Sequence, residues 1–404
     1  MSARVLRRVC VLWARFGPYH LARLRALHAH LDARGVELVG LETAREDATY
    51  AWDREDGAEP FARRVALPDG TAATPRAIRV AVRAALDAID PDAVAIPSYS
   101  TPDAQAALAW CRRHRRVAVM LFDSRREDAP RSGWREAIKR AIVGAFDAAL
   151  VAGTPQAAYA RALGIPPSHL FTPLDVVDNG AFRDGADAER EAASSGAPFL
   201  LSVNRFTARK NVDGLVRAYA LYRQRTPEPW PLVLLGDGPE HARLERLAGD
   251  GVAFEGFQQM GTLPSWYGRA GVYVHPAASD PWGLVVNEAM AAGLPVVVST
   301  GAGCAPDLVE VGANGFVFDP SDASALADAL VRVTEDAALR ARMGRRSREI
   351  IARFRPEDFA AGLWSAVQAG QSRADRPMPI PARIALSVLG VVARRADSFH
   401  TVDA

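Results

Sequence analysis

The chain has 404 residues, 49% of them apolar and 24% charged, which is the balance of a soluble globular protein and too much chain for one ordinary core. A formal net charge of +2 excludes a whole-chain nucleic-acid footprint, and three scattered cysteines, Cys10, Cys111 and Cys304, argue against a disulfide framework or a zinc site. No run reaches the roughly 18 apolar residues of a membrane span. The opening "MSARVLRRVCVLWARFGPYH" reads as a first strand rather than a secretory signal, because Arg15 breaks its apolar run, so the expected location is cytoplasmic.

Taken in chain order, short apolar runs that read as strands lie at 8–14, 36–42, 93–98, 117–122 and 148–153. After a polar stretch at 184–198 the pattern restarts at 199–204, 231–236, 252–256, 272–276, 295–300 and 315–319. Amphipathic stretches such as 211–225 and 324–336 fall between them. Short strands separated by helices predict an α/β chain with two doubly wound, Rossmann-like parallel sheets. The expected domains are 1–180 and 185–355, with "DVVDNGAF" (175–182) as the hinge, and 356–404 is expected to pack back on the first. Within that tail, "PMPIPARIALSVLGVVARR" (377–395) carries an apolar run ending in Arg394 and Arg395. It is too short to cross a bilayer, and either packs on the first domain or lies on a membrane surface.

In open parallel sheets ligands bind beyond the carboxyl ends of the strands. After the run at 199–204 come Arg205 and Lys210, at the entry to the next helix. Lysine is rare here, Lys139 and Lys210 being the two among 49 basic residues, so an ammonium departs from the habit of the chain. A guanidinium and an ammonium beside a helix start suit a diphosphate, although a solvated basic turn is the commoner fate of such a pair. "LLGDGPE" (234–240) sets Gly236 and Gly238 after a strand, where a backbone can approach a ligand closely. The spaced glycine fingerprint of a dinucleotide site follows no strand, which disfavours a dehydrogenase.

The densest stretch is "VHPAASDPWGLVVNEAMAAGLPVV" (274–297), in which Asp280 and Glu288 flank a Pro-Trp-Gly turn and a helix start. The first amides of that helix, around Gly283, Leu284 and Val285, are open to an anion. The two carboxylates suit the vicinal hydroxyls of a sugar, or else they merely favour the positive end of a helix dipole.

Together these motifs, with "GANGFVFDPSDASALADAL" (312–330), make 199–345 resemble the donor-binding half of the family 4 retaining glycosyltransferases. The resemblance implies the GT-B fold, with two domains facing a central cleft, the first for acceptor and the second for a nucleotide sugar. It implies that Arg205 and Lys210 clamp the diphosphate and that Glu288 holds the ribose. Phe257 and Gln258 then border the base, and Trp282, Gly283, Leu284 and Val285 line the donor. Asp280 stands where the family places a glutamate, one methylene longer. In the first half Gly17 takes the place of a glycine-rich loop at the donor phosphates. His20 reads either as an acid or base or as a plain first-turn residue. "LFDSRRED" (121–128) carries Asp123 or Ser124 where many relatives have a histidine, and Lys139 follows on the next helix.

The implied reaction moves a sugar from a nucleoside diphosphate to the hydroxyl of a glycan or lipid-linked acceptor, in polysaccharide or glycolipid synthesis. No metal or other cofactor is expected, since Arg205 and Lys210 supply the positive charge. Clustered arginines and the apolar tail suit contact with an anionic membrane at its inner face. The rivals are an epimerase of the same fold and a non-catalytic nucleotide-sugar binder. Isomerised donor without acceptor would mark the first, and binding without turnover the second.

Overall fold

The computed structural model describes residues 5–45, 57–128, 132–192 and 197–387. Short runs dominated by Val, Leu and Ala cannot hide their backbone polar groups alone, and side-by-side pairing into parallel sheets satisfies them. The first sheet is built from β1 (Arg8–Trp13), β2 (Glu37–Glu42), β3 (Ala62–Val65), β4 (Ala93–Pro97), β5 (Val117–Phe122), β6 (Ala148–Val151) and β7 (Leu170–Phe171). Its order is β3-β2-β1-β4-β5-β6-β7. The second contains β8 (Leu200–Val203), β9 (Leu232–Leu235), β10 (Val252–Phe254), β11 (Val272–His275), β12 (Val296–Ser299) and β13 (Gly315–Phe318), in the order β10-β9-β8-β11-β12-β13. Every strand read from the sequence is present to within two residues, and β3 and β7 are additions.

Each sheet reverses its strand order once, between β1 and β4 and between β8 and β11. At such a switch point the loops leaving the two neighbouring strands diverge to opposite faces, which opens a crevice at the carboxyl edge. The positions of these two reversals decide which loops can build a site.

The chain divides into two units, 1–174 with 356–404, and 175–355. The crossing therefore falls at Leu174 and Asp175, ahead of the expected boundary near 180–185. The stretch expected as a hinge, 175–182, is a packed part of the second unit. Val176, Val177 and Phe182 are buried, and Asn179 donates from Nδ2 to the carbonyls of Ile351 and Phe354 at 2.9 and 3.3 Å. Most of the polar run after it is the helix Asn179–Ala192, which buries Phe182 and Ala186 and turns its charges outward.

In the first unit the helix Pro356–Gly370 lies on the helix Pro18–Asp32 and reaches β5 and β6. It buries Phe359, Leu363 and Val367, and Phe359 stacks on Trp13 at 6.4 Å between ring centres. Residues 380–387 form a further helical segment that sinks Ala382 and Ala385 into a different cluster of the first unit, the one that holds Leu86, Leu108 and Ile142, and leaves Ile380 and Ile384 exposed. The rest of the apolar run, from 388, lies outside the described residues. No helix among the described residues is long and apolar enough to cross a membrane.

Candidate functional site

The switch point of the second sheet puts the loop after β8 beside the loop after β11. Hydrogen bonds then zip the two together: the Ala278 and Ser279 amides donate to the Arg209 carbonyl at 2.9 and 3.1 Å. Asn211, left-handed at φ 51°, donates from Nδ2 to the carbonyls of Pro276 and Pro320 at 3.1 and 2.9 Å. This stitching brings Lys210 and Asp280, seventy residues apart, to 2.5 Å between Nζ and Oδ2. Asp280 is held on its other side by the loop after β12, its amide donating to Gly301 and its carbonyl accepting from Gly303.

A third group completes the cluster. His275 ends β11, is fully buried, and meets the same Asp280 Oδ2 through Nε2 at 2.9 Å. Burial alone would raise the Asp280 carboxyl, but the Lys210 ammonium and the His275 bond outweigh it and hold the carboxyl well below the usual range. Burial pushes the His275 imidazole below its ordinary value despite the carboxylate beside it, so the ring is neutral. A carboxylate only accepts, which fixes the tautomer as Nε2–H donating to Asp280. Sequence reading missed His275; the signal available was a lone histidine ending a strand five residues before the acid.

Gly283 adopts φ 103° and starts the helix Leu284–Ala291, with no side chain capping it. The Val286 amide turns back to the Gly283 carbonyl at 2.9 Å, but those of Leu284 and Val285 have no carbonyl one turn earlier to bond, and both residues are half-buried, so this end remains open to an anion. Arg205 is exposed on the loop after β8. Lys210, Asp280, the Gly283 turn and Arg205 therefore all belong to the carboxyl edge of one sheet.

Other expected residues have different occupations. Trp282 is 2% exposed: its indole donates to Asn287 Oδ1 at 2.9 Å and packs on Phe354, while Asn287 donates on to the Asp175 carbonyl. It is a core residue, not a ligand contact. Glu288 is fully buried and accepts from the Tyr267 hydroxyl at 2.7 Å, so it presents no oxygen at the surface as the sequence suggested. Gly236 and Gly238 allow close backbone-on-backbone packing, a need the sequence reading did not assign to them. A Cβ at Gly236 would lie 1.8 Å from the Asn204 carbonyl oxygen, and one at Gly238 2.5 Å from that of Phe206.

After β10, Gln258 spends its amide locally, donating to the Glu255 carbonyl and accepting from Thr262 and Trp266. Phe257 beside it is 41% exposed. The Gly236 amide donates to the Gly256 carbonyl at 2.7 Å, which draws this loop toward the end of β9.

In the first unit the loop after β1 is anchored by Glu42, a fully buried acid that sequence reading did not single out. It accepts from the Phe16 amide at 2.9 Å and from Arg63 at 2.7 and 3.1 Å. Gly17 then caps the helix Pro18–Asp32, and its amide donates to His20 Nδ1 at 3.0 Å. Burial, with Arg23 adding to it, pushes the His20 imidazole down to about 3, and its ring lies 4.5 Å from that of Trp13. His20 is thus a neutral capping residue, the plainer of its two readings. Asp123 is exposed and Ser124 half-buried beyond the carboxyl end of β5, on the sheet edge that Gly17 also occupies. Lys139 is drawn into a local cluster instead, at 3.0 Å from Glu136 and 3.2 Å from the Tyr159 hydroxyl.

Comparison with known proteins adds the lineage. Residues 185–350 match the family model "Glycosyl transferases group 1". The GDP-mannose-dependent alpha-(1-6)-phosphatidylinositol monomannoside mannosyltransferase of Mycobacterium tuberculosis is 29% identical over 57% of this chain and 63% of its own length. A lipopolysaccharide core biosynthesis glycosyltransferase of Rhizobium meliloti is 35% identical over 38% of this chain and 45% of its own. The chain thus spans less than two thirds of these relatives. Among solved structures, sucrose-phosphate synthase from Thermosynechococcus elongatus superposes with a TM-score of 0.70 at 22% identity, covering 89% of this chain and 97% of that one. The Anabaena protein HepE gives 0.67 at 19%, covering 89% and 98%. The fold is that of the GT-B glycosyltransferases, and residues 185–350, which hold the second sheet and its loops, are similar to the group 1 glycosyl transferases.

Proposed function

We propose that this chain transfers a sugar from a nucleoside diphosphate donor to an acceptor hydroxyl on a glycan or lipid, retaining the anomeric configuration. The observation that carries the reading is the Lys210–Asp280 contact of 2.5 Å at the switch point of the second sheet, next to the open helix start at Gly283. Lys210 and Arg205 face the leaving diphosphate, where negative charge grows in the transition state, and the first amides after Gly283 add fixed dipoles. Asp280 accepts from a hydroxyl of the donor sugar. With this much positive charge supplied by side chains and backbone, the reaction proceeds without a metal ion.

The names of similar proteins support the donor class: one is GDP-mannose-dependent, and HepE was crystallised with UDP and glucose. The mycobacterial relative is named for a phosphatidylinositol monomannoside, which supports a lipid-linked acceptor. Lys210→Ala is expected to lower donor turnover about 100- to 1,000-fold, with the circular dichroism spectrum unchanged. Near-normal turnover in that variant would sink the assignment.

A further inference from the structure

The contact between His275 and Asp280 carries more than the lineage does. Both hydrogen bonds to the Asp280 carboxylate, from Lys210 at 2.5 Å and from His275 at 2.9 Å, fall on Oδ2. Oδ1 makes no hydrogen bond among the described residues. One oxygen is therefore fixed from two directions while the other is left with its acceptor capacity unspent. The imidazole itself is costly where it stands. Its Nδ1 is buried without a partner, and an unpaired buried acceptor costs about 1–3 kcal/mol. A leucine would fill the same end of β11 without that cost, so the Nε2–H donor is what the imidazole contributes.

The space around the pair is close. A Cβ on Gly283 would stand 3.3 Å from His275 Nε2, 3.4 Å from Asp280 Oδ2 and 3.6 Å from Cys304 Sγ. Gly283 also sits at φ 103°, so the turn that starts the helix presses against the carboxylate without crossing it. The Asp280 backbone is pinned by Gly301 and Gly303, so its short side chain has little range of its own. What sets the direction of Oδ1 is the pair of donors on Oδ2.

We infer that His275 is a positioning residue for the donor sugar: its Nε2–H locks Asp280 Oδ2 so that Oδ1 points at a sugar hydroxyl. The inference rests on the transfer reading above and adds a residue to it. Lys210 alone would leave the carboxylate free to pivot about its ion pair. With His275 in place, the aspartate offers one oxygen at one angle, which is a filter on the hydroxyl geometry of the sugar rather than on the diphosphate.

The test uses the whole chain as wild type, His275→Leu and His275→Gln, with folding followed by tryptophan fluorescence melts. Two quantities are read for each: Kd for free UDP and GDP, and kcat/KM for hydrolysis of UDP-glucose and GDP-mannose. Loss of one hydrogen bond to a charged group predicts that His275→Leu lowers kcat/KM about 10- to 100-fold while leaving Kd for the free diphosphate unchanged. His275→Gln, whose amide can still donate, recovers most of that loss, to within about threefold. A purely structural histidine would give the opposite pattern, with diphosphate affinity and turnover falling together and glutamine no better than leucine. That result overturns the inference, as does unimpaired turnover in His275→Leu alongside an active wild type. A wild-type chain that binds neither UDP nor GDP overturns the transfer reading itself, and this inference with it.

Discussion

Asp280 illustrates what a single side chain shows only once it is folded. From sequence it is an aspartate where relatives have glutamate; in the structure its carboxylate is 10% exposed and ion-paired to a lysine that is 14% exposed. Its folded-state pKa is depressed, so its contribution to stability is complete above the ordinary unfolded value of about 3.9 and drains away as pH falls below it. Asp280→Asn is therefore expected to destabilise the protein at neutral pH by about 3 kcal/mol, because it strands a buried ammonium. The gap in melting temperature from wild type should be constant above about pH 5 and narrow as pH falls below about 4, without closing by about 2.5, because the folded carboxyl still holds its charge there. Melts across that range check it, and a gap that does not change with pH would contradict the pairing.

Which face of the helix Leu284–Ala291 turns inward was not legible at this scale. "LVVNEAMA" is apolar on nearly every side, so it has no polar stripe to mark the open face, and Glu288 reads the same buried or exposed. The same holds for Trp282, whose burial is settled by a hydrogen bond to Asn287 that only the helical turn brings within reach.

Elements were read more securely than residues, and the two that were missed share a cause. β3 is "ARRV", two arginines in four residues, and it lies at the edge of its sheet where one neighbour suffices. Arg63 is there to meet the buried Glu42, a pairing across strands that no local pattern announces. β7, two residues at the other edge, is too short to show a period.

The glycines after β9 were legible as a special loop but not in their purpose. With its Cβ position 1.8 Å from the Asn204 carbonyl oxygen and φ at 130°, Gly236 tolerates no side chain. Gly236→Ala should cost about 3 kcal/mol from strain and overpacking, on the order of 10 °C in melting temperature. A melt within a degree or two of wild type, followed by fluorescence, would show that the two loops can separate cheaply.

For the molecule as a whole the formal net charge is only +2, yet charge and apolar surface coincide locally. Ile380 and Ile384 are 70% and 59% exposed one helical turn apart, with Arg383 between them and exposed Arg376 just ahead. Each such arginine near an anionic bilayer contributes about 1 kcal/mol, and salt screens it. Sedimentation with phosphatidylglycerol vesicles should therefore retain the full chain at low salt, release it at about 0.5 M, and fail after deletion of 377–404. Equal retention with and without the tail would place the contact elsewhere.

The division of the chain into 1–174 with 356–404, and 175–355, has a consequence for the order of events at the ribosome. Synthesis runs from the amino terminus, and domains fold as their sequence emerges. The second unit is one continuous segment and has all its strands before residue 320. The first unit emerges earlier but lacks the helix Pro356–Gly370, with Phe359, Leu363 and Val367, until nearly the whole chain is made. Its apolar face on the helix Pro18–Asp32 waits uncovered through some three hundred codons. The half that begins first is completed last, and through that interval the nascent chain carries apolar surface that only its own far end can cover.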